Sequence, residues 1–135
     1  MIVILLNCYI AMKKYLELED IDCYTRSFSL SNYVWKIVVT WDNFSKNTVG
    51  IQLTKAMDSI PANIAEGFGR YGKKDKVKFY YYSYGSLKES QDWNEKSKIR
   101  SLINQEQYTH IQNELKTLPI ELHQLILFTN SKLKQ

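Results

Sequence analysis

The stretch YTHIQNELKTLPIELHQLILFT, residues 108–129, decides the fold of this chain. Its apolar residues recur at alternating steps of three and four over three heptads, which is the spacing of one buried seam on a helix. We expect this helix to begin at Asn104 and to bend at Pro119. The seam consists of Tyr108, Ile111, Leu115, Leu118, Leu122, Leu125 and Thr129.

Three further segments upstream have the same helical spacing. Helix one is expected over about residues 21–44, and helix two from a Thr48 cap through a kink at Pro61. Helix three is expected over about residues 74–103. Helix one has two apolar stripes, one of Tyr24, Phe28, Trp35 and Val38 and the other of Leu30, Val34, Ile37 and Trp41. Helix two has one stripe, made of Leu53, Met57, Ile60, Ile64 and Phe68. Helix three has two faces, one of Val77, Tyr80, Tyr84 and Leu87 and the other of Phe79, Tyr82, Ser86 and Trp93.

Four long helices with short connections predict an all-α, antiparallel up-down-up-down four-helix bundle, because short loops force neighbouring helices to run in opposite directions. The chain of 135 residues fits one domain, and its five glycines and two prolines are too few for a β-sandwich or barrel. We assign residues 16–135 to the bundle. Residues 1–15 are interpreted as an N-terminal extension, with Met12 as the natural start.

The cysteines and the N-terminus bear on the cellular compartment. Cys8 and Cys23, in a chain with an adequate core, are typical of free thiols rather than of a disulfide framework. The apolar run at residues 1–6 is too short to span a membrane, and Lys13 and Lys14 follow it, whereas a signal peptide has its basic residues in front. We therefore expect a cytoplasmic protein that does not bind membranes.

The second apolar face of helices one and three predicts self-association. In a monomeric bundle each helix needs one buried stripe, so a second stripe would meet another subunit. Phe79, Tyr82 and Trp93 are the candidate interface residues on helix three. One alternative is that both stripes belong to a single wide core. Another is that the tyrosines of residues 79–84 stack on unpaired bases.

The positive charge of the chain is concentrated in one short segment. The formal net charge is +4, and five basic residues of this segment outnumber its one carboxylate, Asp75, by the same amount. Such a cluster at the start of a helix favours the phosphates of a polymer, and the alternative is a solvated basic loop. The five are Arg70, Lys73, Lys74, Lys76 and Lys78.

Two phosphate-loop patterns overlap this segment and fail their structural context. Gly67, Gly69 and Gly72 satisfy GxGxxG, and the stretch from Gly67 to Lys73 satisfies GxxxxGK, with Lys74 where the motif has Ser or Thr. Both motifs need a preceding β-strand in a parallel sheet. Because a helix is expected before Gly67, we predict no bound nucleotide cofactor.

No other constellation of residues supports catalysis. Ser59, Asn63 and Glu66 form a polar stripe on helix two, but no nucleophile, second carboxylate or metal ligand has a spacing that completes a site. The stripe is expected to make hydrogen bonds between helices. His110 and His123 lack the ExxH spacing of a di-iron bundle. We predict no enzyme activity, no metal and no cofactor.

The signature DSIPANIAEGFGR, residues 58–70, resembles that of the four-helix-bundle family named after the intervening sequences of 23S ribosomal RNA genes. The similarity covers roughly residues 16–130. It implies a homopentameric ring, with relatives that include the accessory protein of diversity-generating retroelements, which associates with nucleic acid and a reverse transcriptase. The chain departs from the family at Tyr84, where an arginine that could bind a phosphate commonly precedes GSL. The matching signature positions, structural or functional, are Ser59, Ile60, Asn63, Ala65, Glu66, Gly67 and Arg70.

These observations predict a non-catalytic, homo-oligomeric accessory protein that binds RNA or DNA through phosphates with low sequence specificity. A nucleic-acid-processing protein is a further expected partner. The alternative function is a protein-interaction scaffold that does not bind nucleic acid.

Overall fold

The computed structural model describes residues 15–132, and within them it confirms the predicted all-α four-helix bundle. Sequential helices pack antiparallel against each other, and α1 packs on α4 to close the bundle. No β-strand occurs in this part of the chain. The expected extension at residues 1–15 lies outside the described residues, apart from Tyr15. The long helices are α1 (Asp22–Val38), α2 (Ile51–Gly69), α3 (Lys73–Ile99) and α4 (Gln105–Lys132).

The seam of α4 forms the centre of the core. Ile111, Leu115, Leu118 and Leu122 are almost completely buried, as their spacing predicted. Asn104 precedes the helix and caps it: its Oδ1 accepts a hydrogen bond from the backbone of Gln107 at 2.7 Å, and the Gln107 side chain accepts one from the Asn104 backbone at 3.0 Å. This reciprocal pair satisfies two backbone donors that the first turn would leave unpaired. The predicted start of the last helix is therefore confirmed.

A cluster of ion pairs connects the first long helix, α1, with the last, α4. The Arg26 guanidinium lies 2.7 Å from a carboxylate oxygen of Glu114 and 2.7 Å from one of Glu121. Both glutamates raise the pKa of Arg26 through these hydrogen bonds. The interaction spans about ninety positions of sequence, so no local pattern could reveal it.

The predicted start of α2 at a Thr48 cap is wrong. Helix α1 ends at Val38 rather than near residue 44, and the side chain of Asp42 accepts a hydrogen bond from the Ser45 backbone at 3.0 Å. Hydrogen bonds from Ser45 hold the pKa of Asp42 below its usual value. Thr48 instead donates its hydroxyl to the Phe44 carbonyl at 2.7 Å, inside the helical chain. A carboxylate is the stronger acceptor, and Asp42 caps the helical chain six residues before Thr48.

A rare helical segment follows the Asp42 cap and leads directly into α2. One α-helical turn at Asn43–Ser45 is followed by a π-helical turn at Lys46–Gly50, which we call the π-turn. A Cβ atom on Gly50 would lie 2.9 Å from Cγ1 of Val38 and 3.3 Å from the Ser45 carbonyl oxygen. The π-turn therefore packs so closely on the end of α1 that only glycine fits there.

The buried stripe of α3 differs from the predicted one. Tyr80 and Leu87 are buried as expected, but Tyr84 is exposed. The remaining buried positions are small and polar: Ser83, Ser90, Asn94 and Ser97. The serine hydroxyls donate to carbonyls of α3 or, for Ser83, to the Ile60 carbonyl of α2. Because serine can satisfy its hydroxyl in this way, hydropathy alone does not identify such a stripe.

Helix α3 ends at Ile99, four residues earlier than predicted. Ser101 has a φ of 58°, the left-handed conformation that usually favours glycine. Its backbone donates to Lys98, and the Leu102 backbone donates to Ser97, at 3.0 and 2.9 Å. These bonds form a Schellman motif, which terminates the helix and turns the chain into α4.

The second predicted apolar stripe of α1 is divided: Tyr24 and Val38 pack in or against the core, and its other two residues face solvent. Leu30, Val34 and Ile37 are buried, whereas Phe28 is 51% exposed and Trp35 is 54% exposed. The wide-core interpretation is therefore wrong for Phe28 and Trp35. Within the described residues, no helix combines the length and apolar character that a membrane span requires.

Candidate nucleic-acid interface

The candidate site lies where α2 ends and α3 begins, and Gly67 sets its geometry. A Cβ atom at Gly67 would lie 2.7 Å from Cε1 of Tyr80 and 2.9 Å from the carbonyl oxygen of Lys76. The two helices therefore cross at the closest distance their backbones allow. This crossing brings Arg70 from the α2 side against the first two turns of α3. We call Arg70, Lys73, Lys74, Lys76 and Lys78, together with Phe79 and Tyr82, the α2–α3 corner.

Two of the five basic residues bind backbone carbonyls. Lys76 donates to the Phe68 carbonyl at 2.6 Å, and Lys73 donates to the Asn130 carbonyl at 3.3 Å. Phe68 lies in the last turn of α2, where its carbonyl lacks a partner within the helix, and Asn130 lies near the end of the described part of α4. Partial burial lowers the pKa of Lys76. The cations that the sequence assigned to phosphates thus also stabilise two helix ends.

The other basic residues lie further towards solvent. Arg70 forms an ion pair with Glu66 at 2.7 Å and a longer one with Asp75 at 3.6 Å. Lys78 lies 3.1 Å from Asp75. Lys74 is exposed and has no ion-pair or hydrogen-bond partner among residues 15–132. The corner thus contains five cations and two neighbouring carboxylates.

Aromatic rings stand beside these cations. The guanidinium carbon of Arg70 lies 4.5 Å from the centroid of the Phe79 ring, and Nζ of Lys78 lies 5.2 Å from it. Tyr82 packs edge-on against Phe79, with ring centroids 5.4 Å apart, and is about half exposed. Trp93 shares this side of α3 but is eleven residues beyond Tyr82, roughly 16 Å along the helix. The three candidate interface residues therefore do not form one patch.

The polar stripe of α2 bonds within its own helix. Ser59 donates to the Lys55 carbonyl at 2.7 Å, Asn63 donates to the Ser59 carbonyl at 2.9 Å, and Glu66 pairs with Arg70. The expectation of hydrogen bonds between helices is wrong for these three residues. The stripe leads along the surface of α2 to the corner.

The remaining signature residues have packing positions. Ile60 is buried in the core. Ala65 is half-buried and lines a shallow groove between α1 and α2, together with Phe28 and Pro61. Small residues at this position of α2 leave that groove open.

Neither the histidines nor the cysteine of the described chain forms a metal or nucleophile site. His110 packs against Tyr33 with ring centroids 4.5 Å apart. Burial raises the pKa of the Cys23 thiol to about 12, so this thiol stays protonated. In residues 15–132 no group of three potential metal ligands comes together.

Comparison with known proteins identifies relatives of this bundle. The family model described as 23S rRNA-intervening sequence protein matches residues 19–124. A crystal structure of a protein with unknown function from the S23 ribosomal protein family of Bacteroides thetaiotaomicron has a TM-score of 0.67 and 20% sequence identity. The match covers 77% of this chain and 97% of that one, and at this identity it shows a shared fold. No curated protein matches the sequence.

Proposed function

The chain belongs to the 23S rRNA-intervening sequence protein family, and we propose that it is a non-catalytic, self-assembling accessory protein that binds the phosphate backbone of RNA or DNA through the α2–α3 corner. The observation that carries this proposal is the arrangement of Arg70 and Lys78 around the ring of Phe79, next to Lys74, which has no partner within the described part of the chain. Cations beside an exposed aromatic ring, here the half-exposed Tyr82 that packs on Phe79, are what sequence-tolerant binding of single strands uses.

The charge of the corner supports this proposal in a second way. Five cations against Glu66 and Asp75 leave a net charge of +3 at one end of the bundle. The carboxylates hold Arg70 and Lys78 in place without neutralising the group, which lowers the entropy lost when a phosphate binds. Contacts of this kind carry little sequence information, so we expect low specificity.

The corner is tested with a double variant, Lys74→Ala/Lys78→Ala. These two side chains make no bond to a helix-end carbonyl, so the bundle is expected to remain folded. Loss of two phosphate contacts should weaken binding of a single-stranded RNA of about 20 nucleotides roughly tenfold, and should reduce the magnitude of the slope of log affinity against log salt by about 1.4, because each phosphate contact on a single strand contributes about 0.7. Fluorescence anisotropy between about 50 and 200 mM salt measures both quantities.

The matched control is Lys36→Ala/Lys116→Ala, which removes the same charge from exposed positions on α1 and α4. We expect this variant to bind within about twofold of the parent. Equal losses in the two double variants, or a parent that does not bind RNA or single-stranded DNA at low salt, would contradict the proposal. A parent that assembles but binds neither polymer would instead favour the scaffold function.

Self-assembly is supported by the exposed side of α1. Phe28, Trp35 and Val39 lie on one face of the helix and are each about half exposed. The exposed Tyr81 of α3, which is not part of the α2–α3 corner, belongs to a different surface. A contact between two different surfaces is heterologous, and it repeats into a closed ring when the rotation between copies permits. The five-copy ring implied by the family resemblance is an assembly of this kind.

The α1 face is tested by Phe28→Glu/Trp35→Glu. Two carboxylates in an apolar contact should prevent association, so multi-angle light scattering should give the mass of one 15.9 kDa chain where the parent gives several. The control is Ile120→Glu/Leu127→Glu on α4, which has the same seven-residue spacing at similarly exposed apolar positions. This control should assemble like the parent. A monomeric parent, or dissociation of both variants, would exclude the α1 face as the specific contact.

A further inference from the structure

A second site lies at the opposite end of α3 from the α2–α3 corner. Between the π-turn and the turn that joins α3 to α4, the surface forms a wide-open cavity of about 670 Å³. This volume is within the range of small-molecule sites. The residues that matter for its chemistry are Phe44, Asn47, Thr48, Gln52, Trp93 and Arg100.

Two of these side chains offer aromatic rings. Trp93 packs partly against the core, and Nζ of Lys96 lies 4.4 Å from its ring centroid, so the indole is fixed in place and one of its faces is covered. Phe44 is 78% exposed, although a phenylalanine gains free energy from burial. An apolar ring left in water at the mouth of a cavity is available for a planar ligand.

One side chain offers an uncompensated charge. Arg100 is exposed and forms no ion pair with any residue of the described chain. The nearby carboxylate of Asp92 is paired with Lys96, so it does not neutralise this guanidinium. A guanidinium is the side chain best suited to a phosphate, because its planar fork donates two parallel hydrogen bonds.

Polar side chains complete the wall of the cavity. Asn47, Thr48 and Gln52 line it and carry both donors and acceptors, which is what discrimination of base edges requires. Asn47 and Thr48 belong to the π-turn. Turns of this type are rare and occur frequently at functional sites. On the other side, the left-handed Ser101 directly follows Arg100.

We infer that this cavity binds one nucleotide, with the base stacked on the exposed ring of Phe44, beside Trp93, and the phosphate on Arg100. Trp93 and Arg100 are seven residues apart on one side of α3, about 10.5 Å along the helix, so base and phosphate can occupy different side chains. The ligand is either a free nucleotide or the phosphorylated end of a strand, which share this chemistry. The inference does not depend on the proposed function of the α2–α3 corner.

The first experiment measures binding by ligand-observed NMR. The probes are the four nucleoside 5′-monophosphates, the corresponding nucleosides and 5′-phosphorylated tetranucleotides. At least one monophosphate should bind about tenfold more tightly than its nucleoside, because only the phosphate reaches Arg100. Tetranucleotides that bind more tightly than monophosphates identify a strand end, and equal or weaker binding identifies a free nucleotide.

The second experiment uses Arg100→Ala and Phe44→Ala, both at exposed positions whose loss leaves the core intact. Arg100→Ala should weaken monophosphate binding about tenfold and leave nucleoside binding unchanged, while Phe44→Ala weakens both severalfold. Lys74→Ala/Lys78→Ala should bind monophosphates like the parent, which separates this site from the corner. No saturable binding up to about 10 mM, or full binding by Arg100→Ala, would overturn the inference.

Discussion

Replacement of Gly67 by alanine is expected to lower the free energy of unfolding by about 3 kcal/mol. The new Cβ atom would lie 2.7 Å from the ring of the buried Tyr80 and 2.9 Å from a backbone carbonyl oxygen of α3. A buried ring and a helical backbone cannot move aside as the end of a flexible side chain could, so α2 and α3 must separate. Thermal unfolding followed by circular dichroism should show a midpoint roughly 10 °C lower.

Gly85→Ala is the matched control for that result. Gly85 lies within α3, and nothing lies within 4 Å of a Cβ atom built on it. Alanine at this exposed helical position should raise the free energy of unfolding by about 0.5–1 kcal/mol, because glycine loses more backbone entropy on folding. Replacement of glycine by alanine is thus expected to lower the free energy of unfolding at Gly67 and to raise it at Gly85. If both variants were stabilised, the close crossing at Gly67 would be incorrect.

Asn94→Ala is expected to stabilise the protein by about 2 kcal/mol. The Asn94 side chain is completely buried, and neither its nitrogen nor its oxygen has a hydrogen-bond partner among the described residues. Removing two buried polar groups without hydrogen bonds should stabilise the folded state by more free energy than the small cavity left by the shorter side chain costs. Urea unfolding at a constant m-value measures the change.

Ser90→Ala provides the comparison on the same buried stripe. The Ser90 hydroxyl is satisfied by the Ser86 carbonyl at 2.9 Å, so its removal should change the free energy of unfolding by less than about 0.5 kcal/mol. The contrast between the two positions isolates the unpaired amide from the general effect of alanine in a helix. Destabilisation by Asn94→Ala would show that the amide has a partner in the folded protein.

Much of the fold could be predicted from sequence because the α4 seam is a strong periodic signal. The start of α2 could not, since the π-turn depends on the close approach of Gly50 to Val38 of another helix. Serines satisfied within their own helix likewise have no signature in hydropathy, and the buried stripe of α3 was therefore misassigned. Errors of this kind arise where tertiary contacts override local preference.

The sequence predicts which basic residues make up the candidate site, but it does not predict how their side chains are arranged. The position of the cationic segment follows from the sequence alone. The partners of Lys73 and Lys76 do not, because the carbonyls of Asn130 and Phe68 are set by how three helices meet at one end of the bundle. The cavity beside Arg100 was missed altogether, since its walls come from residues about fifty positions apart.

The contact of Arg26 with two glutamates bears on how the bundle selects its alignment. A leucine repeat has the same appearance after a shift of one heptad, so apolar packing alone tolerates a slipped pairing of α1 and α4. Glu114 and Glu121 are themselves one heptad apart, and Arg26 lies between them. A slip in either direction would keep at most one of these two ion pairs and leave the other carboxylate without its guanidinium partner. Arg26 thus distinguishes one heptad from the next, and it gives the native alignment an advantage over its shifted copies.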